Sequence, residues 1–306
     1  MTERKLVPDA VDEFLLYLET IKGFSPNTVV SYKNDLEKFK FFSGTQKYMD
    51  EITYNDLRYA IPCLTEQGSS SATINRYISA VRTLFAYCRK FDYIDNNPSL
   101  RLKTVKADKP YHQIVTDQEM YKVCTSPEQR KMLWPARDKA IFEMLYSSGC
   151  RVSELCSLKF SSFVNGYKKA RIIGKGSKER FVFFEEDAVN ALTVYLDERK
   201  KLLQEKEITE DPKFLFLNQS GTPLTTGGLT WILSRYTSAE GINHHFSPHD
   251  FRHAFATAMV NEGLDIRKVQ ALLGHSSVST TQRYTHVNQK KVFSDYHKAH
   301  PHGKDV

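Results

Sequence analysis

Through residues 6 to 93 apolar side chains recur at intervals of three and four, the spacing of helices that bury one face. Val11, Phe14, Leu15 and Leu18 form the first such stripe, and Gly23 breaks it. Ser25 and Pro26 then read as an N-cap followed by proline at the first helical position. Val29, Tyr32, Leu36 and Phe39 supply the buried side of that second helix, with Asn27, Lys33 and Asn34 opposite. A third helix is expected from Asp50 to Thr65, and Gly68-Ser69-Ser70-Ser71 connects it to a fourth. In the fourth, Ile74, Ile78, Val81 and Phe85 point one way, while Asn75, Ser79, Arg82 and Arg89 share another face with Arg76 beside it. A solvated face is the plain reading of such a row. This one is almost free of acid and mixes arginine with Asn and Ser, which suits phosphate and base-edge contacts in a DNA major groove.

Asn96-Asn97-Pro98 closes this helical unit, so residues 1–93 are expected as one domain. Residues 94–112 carry Arg101, Lys103, Lys106 and Lys109 up to Pro110, and read as an extended basic linker. Residues 113–306 make the second domain. Thr116 with Glu119 is a capping box that opens its first helix. A second, over 136–148, has Ala140, Ile141, Met144 and Leu145 on its apolar side and Gly149 at the left-handed closing position. Arg151 follows in GCRVSEL, either as a surface residue or as the partner of Glu154. Between Tyr167 and Phe184 the pattern changes to β-branched and aromatic runs flanking Gly174-Lys175-Gly176-Ser177, which reads as a β-hairpin with Lys175 at its tip. The glycines there lack the spacing of a nucleotide-binding phosphate loop. A long charged helix from Glu186, a buried run Phe214–Leu217 and a helix from Thr225 complete the expectation: a mainly α fold with a small antiparallel β-sheet.

Composition narrows the class without naming a function. Of 306 residues, 41% are hydrophobic and 26% charged, which is the balance of a globular protein. No apolar run approaches the roughly 20 residues that span a bilayer, and the first residues lack the apolar core of a signal peptide, so a cytoplasmic protein without membrane partners is expected. The five cysteines are scattered with no C-x-x-C pair, which argues against disulfides and a zinc ribbon and for buried, inert thiols. A formal charge of +7 fits a polyanionic partner.

The chemistry is concentrated between Ser247 and His286. Ser247-Pro248 starts a helix with Asp250 in its first turn, and His249 and Arg252, three apart, share a face. Asp265 caps the next helix, Gly274 ends it, and His275 stands on the turn beyond, nine positions before Tyr284. Two imidazoles, a guanidinium and a phenol suit the holding and attack of a phosphodiester. His249 and His253 also have the spacing of helical zinc ligands, but Asp250 replaces the usual Glu and Arg252 would oppose a cation between them.

Arg151 in GCRVSEL, Lys175 in IIGKGSKER, the run His249–His253, LLGH ending at His275 and Tyr284 in TTQRYTH together resemble the motif set of the tyrosine recombinases, in particular the Xer type. The similarity reaches back through SPNTVVSYKNDLEKF, so it covers nearly the whole chain. It implies an N-terminal helical, SAM-like core-binding domain and a C-terminal α+β catalytic domain. It also implies six catalytic residues: Arg151, Lys175, His249, Arg252, His275 and the nucleophile Tyr284, with Lys178 as an alternative acid to Lys175 or a DNA contact. The expected reaction is site-specific exchange of DNA strands through a 3′-phosphotyrosine, without metal, cofactor or ATP. Its setting would be chromosome-dimer resolution or the movement of a mobile element. The expected partners are double-stranded DNA with a specific site and further copies in a tetramer, coupled by the apolar tail residues Val292, Phe293 and Tyr296; a second recombinase or an accessory protein is compatible with this. A type IB topoisomerase and a non-catalytic DNA-binding regulator are the alternatives. Expected DNA contacts are Lys33, Asn75, Arg76, Ser79, Arg82, Arg89, Lys103, Lys106 and Lys178.

Overall fold

The computed structural model describes residues 4–106, 115–130, 132–164, 166–174, 179–242 and 246–274, together with Tyr296 and Ala299. The chain divides into two compact units, Met1–His112 and Gln113–Val306.

The first unit packs α1 (Val7–Thr20), α2 (Pro26–Ser43), α3 (Tyr54–Glu66) and α4 (Ser71–Lys90) around one apolar core. Ser25 caps α2 as its position before proline predicts, its hydroxyl accepting from the Thr28 amide. The third helix starts at Tyr54 and not at Asp50, because Thr53 and Asp56 close a capping box there while Met49–Glu51 form a separate 3₁₀ turn. Phe14, Leu36, Phe39, Leu57, Ile78 and Phe85 meet in the core.

The segment expected as an extended linker departs from that reading over residues 94–102. Pro98–Arg101 form a 3₁₀ turn capped by Asn97, and Ile94 and Leu102 are buried in the core of the first unit. Burying two aliphatic side chains holds residues 94–102 to the helices. Lys103 and Lys106 remain exposed beyond them.

The second unit is built around α6 (Pro135–Ser148), flanked by α5 (Asp117–Gln129), α8 (Glu186–Glu205) and α10 (Pro248–Asn261). Surrounded in this way, α6 buries every residue from Ala140 to Ser148. Its polar residues are therefore paired internally: Asp138 takes Arg137 at 2.7 Å and the Tyr236 hydroxyl at 3.1 Å. β1 (Lys169–Ile173) and β2 (Glu179–Phe183) form an antiparallel hairpin in which Ile172 faces Arg180. Their inward residues Ala170, Ile172 and Val182 are buried in the main core, and Phe183, on the other face, is buried against Phe255 and Tyr296. α7 (Val152–Cys156), α9 (Thr226–Ala239) and α11 (Ile266–Leu273) complete the unit. No described helix is long and apolar enough to cross a membrane.

Of the apolar tail, Tyr296 lies within the described residues. In the single chain it is seated on its own unit, its hydroxyl donating to the Ser147 carbonyl at 2.8 Å and its ring beside Phe183 and Phe255.

Candidate active site

Three chain segments far apart in sequence converge at the end of α6. Gly149 closes that helix in the left-handed conformation, φ 57°, with its amide on the Leu145 carbonyl. A Cβ there would lie 2.5 Å from the Phe255 ring, so glycine is required by space as well as by φ. The tight closure releases the chain directly into Arg151, the N-cap of the short helix α7. Glu154, in the first turn of α7, folds back: its Oε2 accepts from the Arg151 amide at 2.7 Å and its Oε1 from Arg151 Nη1 at 3.0 Å. The arginine side chain is 39% exposed while the glutamate is buried. Arg151 is thus both of the things its position allowed, a partner of Glu154 and a cation open to solvent.

Arg252 reaches the same place from α10. The capping box between Ser247 and Asp250 fixes the start of this helix, and Phe251, Phe255 and Met259 bury its inner side. Arg252 is buried among them, with Nη1 donating to the Gly149 carbonyl at 2.8 Å and Nη2 to the Leu273 carbonyl at 2.6 Å. These carbonyls belong to the C-terminal ends of α6 and α11, where helix dipoles favour a cation. His249 stands at the exposed first turn of α10, one turn from Arg252. His253, one turn from His249, is likewise exposed. Among the described residues no cluster of three or more His, Cys, Asp or Glu could hold a metal.

A third guanidinium completes the group, and the motif reading passed over it. Arg180 on β2 forks onto Glu154, Nη1 to Oε1 and Nη2 to Oε2, both at 2.8 Å. Glu154 therefore accepts four hydrogen bonds, about the full capacity of a carboxylate. Burial pushes its carboxyl up, but the Arg180 and Arg151 bonds outweigh this and hold it below the usual range. Arg252 is pushed down to about 10, first by burial and then by the nearby charges of Arg151 and Arg180. Among the described residues, three guanidiniums against one carboxylate leave positive charge in surplus in a partly buried setting, which is the electrostatic condition for binding an anion. Arg180 had a sequence signal: it shares the inward parity of Val182 and Phe184, and an arginine in that position needs a buried partner. Cys150, beside the site, is buried and its thiol pushed up to about 11, as expected of an inert cysteine.

Lys175, Lys178, His275 and Tyr284 lie outside the described residues. Among the expected DNA contacts, Lys33, Ser79, Lys103 and Lys106 are exposed. Arg76 and Arg89 are also open to solvent but paired, Arg76 as a fork on the buried Asp35 and Arg89 with Asp92. Asn75 and Arg82 make internal contacts: Asn75 bonds both peptide groups of Val105, and Arg82 donates to the Leu102 carbonyl. Both hold residues 102–105 across α4.

Comparison with known proteins covers both units. Residues 114–291 match the phage integrase family, and residues 11–90 match the N-terminal SAM-like domain of phage integrases. The tyrosine recombinase XerC of Treponema denticola is 37% identical over 96% of this chain and 99% of its own length. The XerD of Oceanobacillus iheyensis is 36% identical over 95% of this chain and 98% of its own. A lambda integrase dimer bound to a core site shares the fold with a TM-score of 0.71 at 19% identity, covering 92% of this chain and 77% of that one. The Tn1549 transposon integrase in complex with circular intermediate DNA does so at 0.71 and 18%, over 95% and 98%. With both domains matched and relatives similar along their full length, this chain belongs to the phage integrase family and, within it, to the Xer-type tyrosine recombinases.

Proposed function

We propose that this chain cleaves, exchanges and rejoins DNA strands at a specific site through a covalent link from Tyr284 to a 3′-phosphate. The observation that carries the reading is the convergence of Arg151 and Arg252 on one spot, with Arg180 and Glu154 behind them. In this reading Arg151 and Arg252 bind the non-bridging oxygens of the scissile phosphate and stabilise the charge that grows on them. The Tyr284 oxygen bonds to phosphorus while the bond to the 5′-oxygen breaks. The phenol proton passes to His249, Lys175 protonates the departing oxygen, and His275 hydrogen-bonds the phosphate. Because the phosphotyrosine conserves the diester's energy, the 5′-hydroxyl of another strand reverses the step without ATP.

Strand exchange between two duplexes requires several copies, and a solved lambda integrase tetramer on a Holliday junction has this fold. We infer a tetramer on DNA, acting in the cytoplasm. Full-length similarity to relatives named XerC and XerD favours chromosome-dimer resolution over movement of a mobile element. The decisive experiment is a nicked DNA substrate that traps the covalent species: the intact protein should become attached to DNA, and Tyr284→Phe should bind equally but form no adduct. A protein that binds and never attaches would be a non-catalytic regulator. Relaxation of supercoiled DNA without a specific site would indicate a topoisomerase.

A further inference from the structure

Arg180 stands where three separately encoded parts of the second unit meet. It is the second residue of β2, the strand that follows β1 and begins at Glu179. Its two terminal nitrogens fork onto Glu154, in the helix that begins after Arg151. Its Nε donates to the Leu272 carbonyl at 3.1 Å, near the end of α11. Gly274, one residue before His275, rests on its side chain, since a Cβ there would lie 2.9 Å from Arg180 Cδ and 3.1 Å from Nε and Nη1. The side chain is only 12% exposed. A lysine could supply the charge, but a single ammonium cannot hold both carboxylate oxygens and a carbonyl in one plane.

A two-stranded hairpin is marginally stable alone, so where its tip lies depends on what its base is fastened to. Buried side chains hold this hairpin on its inner face. Arg180 supplies the directional attachment, and it stands opposite Ile172 of β1 in the paired hairpin. Lys175 lies five residues before it in the chain.

We propose that Arg180 is a positioning residue for protonation of the leaving group: it fastens the hairpin that carries Lys175 to Glu154 and α11, and so aligns Lys175 with the phosphate held by Arg151 and Arg252. The proposal rests on the functional reading above, in which Lys175 gives its proton to the 5′-oxygen as the phosphorus–oxygen bond breaks.

Single-turnover cleavage of a nicked substrate by the full chain tests it. Arg180→Lys should slow cleavage of the ordinary oxygen-bridged substrate about tenfold or more, a share of the roughly 10²–10⁴ that a positioned general acid supplies. Its affinity for DNA should stay within about threefold, because the change acts on the reacting step and not on the binding surface. When sulfur replaces the bridging 5′-oxygen, the thiolate leaves without a proton, and Arg180→Lys should then approach the rate of the unsubstituted protein. Equal losses on the two bridges, or no loss on either, would overturn the proposal. The ratio of the two rates is internal to each variant, so partial unfolding cancels; Arg180→Gln, assayed below its melting temperature, should show the same oxygen-selective defect. Failure of the unsubstituted protein to form any adduct would instead remove the functional reading itself.

Discussion

Asn75 binds Val105 through both peptide groups, its Nδ2 donating to the carbonyl at 2.9 Å and its Oδ1 accepting from the amide at 2.8 Å. The pair makes α4 a support for the chain that leaves the first unit, with Arg82 holding Leu102 one step earlier. Replacing Asn75 by Ala removes two partly buried hydrogen bonds and should cost about 1–2 kcal/mol. Urea unfolding measures the cost. Amide exchange at Val105 should accelerate far more than exchange in the middle of α1, and equal protection at both sites would refute the support role.

The fates of Asn75, Arg82 and Arg180 show where a sequence reading reaches its limit. Local signals carried well: Ser25, Thr116 and Ser247 cap helices, Gly149 and Gly274 close them, and the strand runs around Lys175 pair as a hairpin. Each of those features is decided within a few residues by propensity and capping. Local pattern alone puts Asn75 on a groove-facing row, because the chain that occupies its amide lies thirty positions on. The Glu154–Arg180 pair is hidden from local pattern for a similar reason, since it spans 26 residues and depends on how the hairpin folds against α7. Arg151 and Arg252 were legible as motif residues, but their shared electrostatic setting was not.

Glu154 predicts an acid-sensitive component of stability. Its folded pKa lies below the ordinary carboxylate value of about 4.3, because the arginine bonds outweigh burial. A depressed carboxylate contributes stability that is complete above the unfolded value and is lost as pH falls through the folded one. Stability measured by urea should therefore fall more steeply below about pH 4–5 in the unsubstituted protein than in Glu154→Gln. At neutral pH Glu154→Gln should be the less stable of the two by about 1–3 kcal/mol, as a fourfold-bonded charge is replaced by a neutral amide. Parallel pH profiles would show that Glu154 is not held ionised by its arginines.

Two left-handed glycines separate crowding from backbone strain. Gly149 and Gly263 both have positive φ, 57° and 85°, but an added Cβ meets the Phe255 ring at the first and nothing within 4 Å at the second. Gly263→Ala should cost about 1–2 kcal/mol, the strain of a left-handed alanine. Gly149→Ala should cost about 1–3 kcal/mol more, since a core ring must move. Only Gly149→Ala should also slow cleavage, because the Gly149 carbonyl receives Arg252. Equal melting temperatures for the two variants would show that the ring yields freely.

Arg252 offers the clearest separation of stability from catalysis. Replacing it by Gln leaves the Gly149 and Leu273 carbonyls without their cation, a loss of about 1–3 kcal/mol for each group left buried and unmatched. Against that, the change removes a charge disfavoured first by burial and then by Arg151 and Arg180, which together lower its pKa to about 10. The two effects oppose, so the net change in unfolding free energy should stay within about 2 kcal/mol. Cleavage has no such compensation. In the proposed mechanism one of the two guanidiniums that face the developing phosphate charge is then gone, and single-turnover attachment through Tyr284 should fall about 10²-fold or more. Near-normal cleavage by a folded Arg252→Gln protein would place the phosphate elsewhere, whereas wholesale unfolding would show that the carbonyl bonds dominate and that this guanidinium is chiefly a structural tie between α6 and α11.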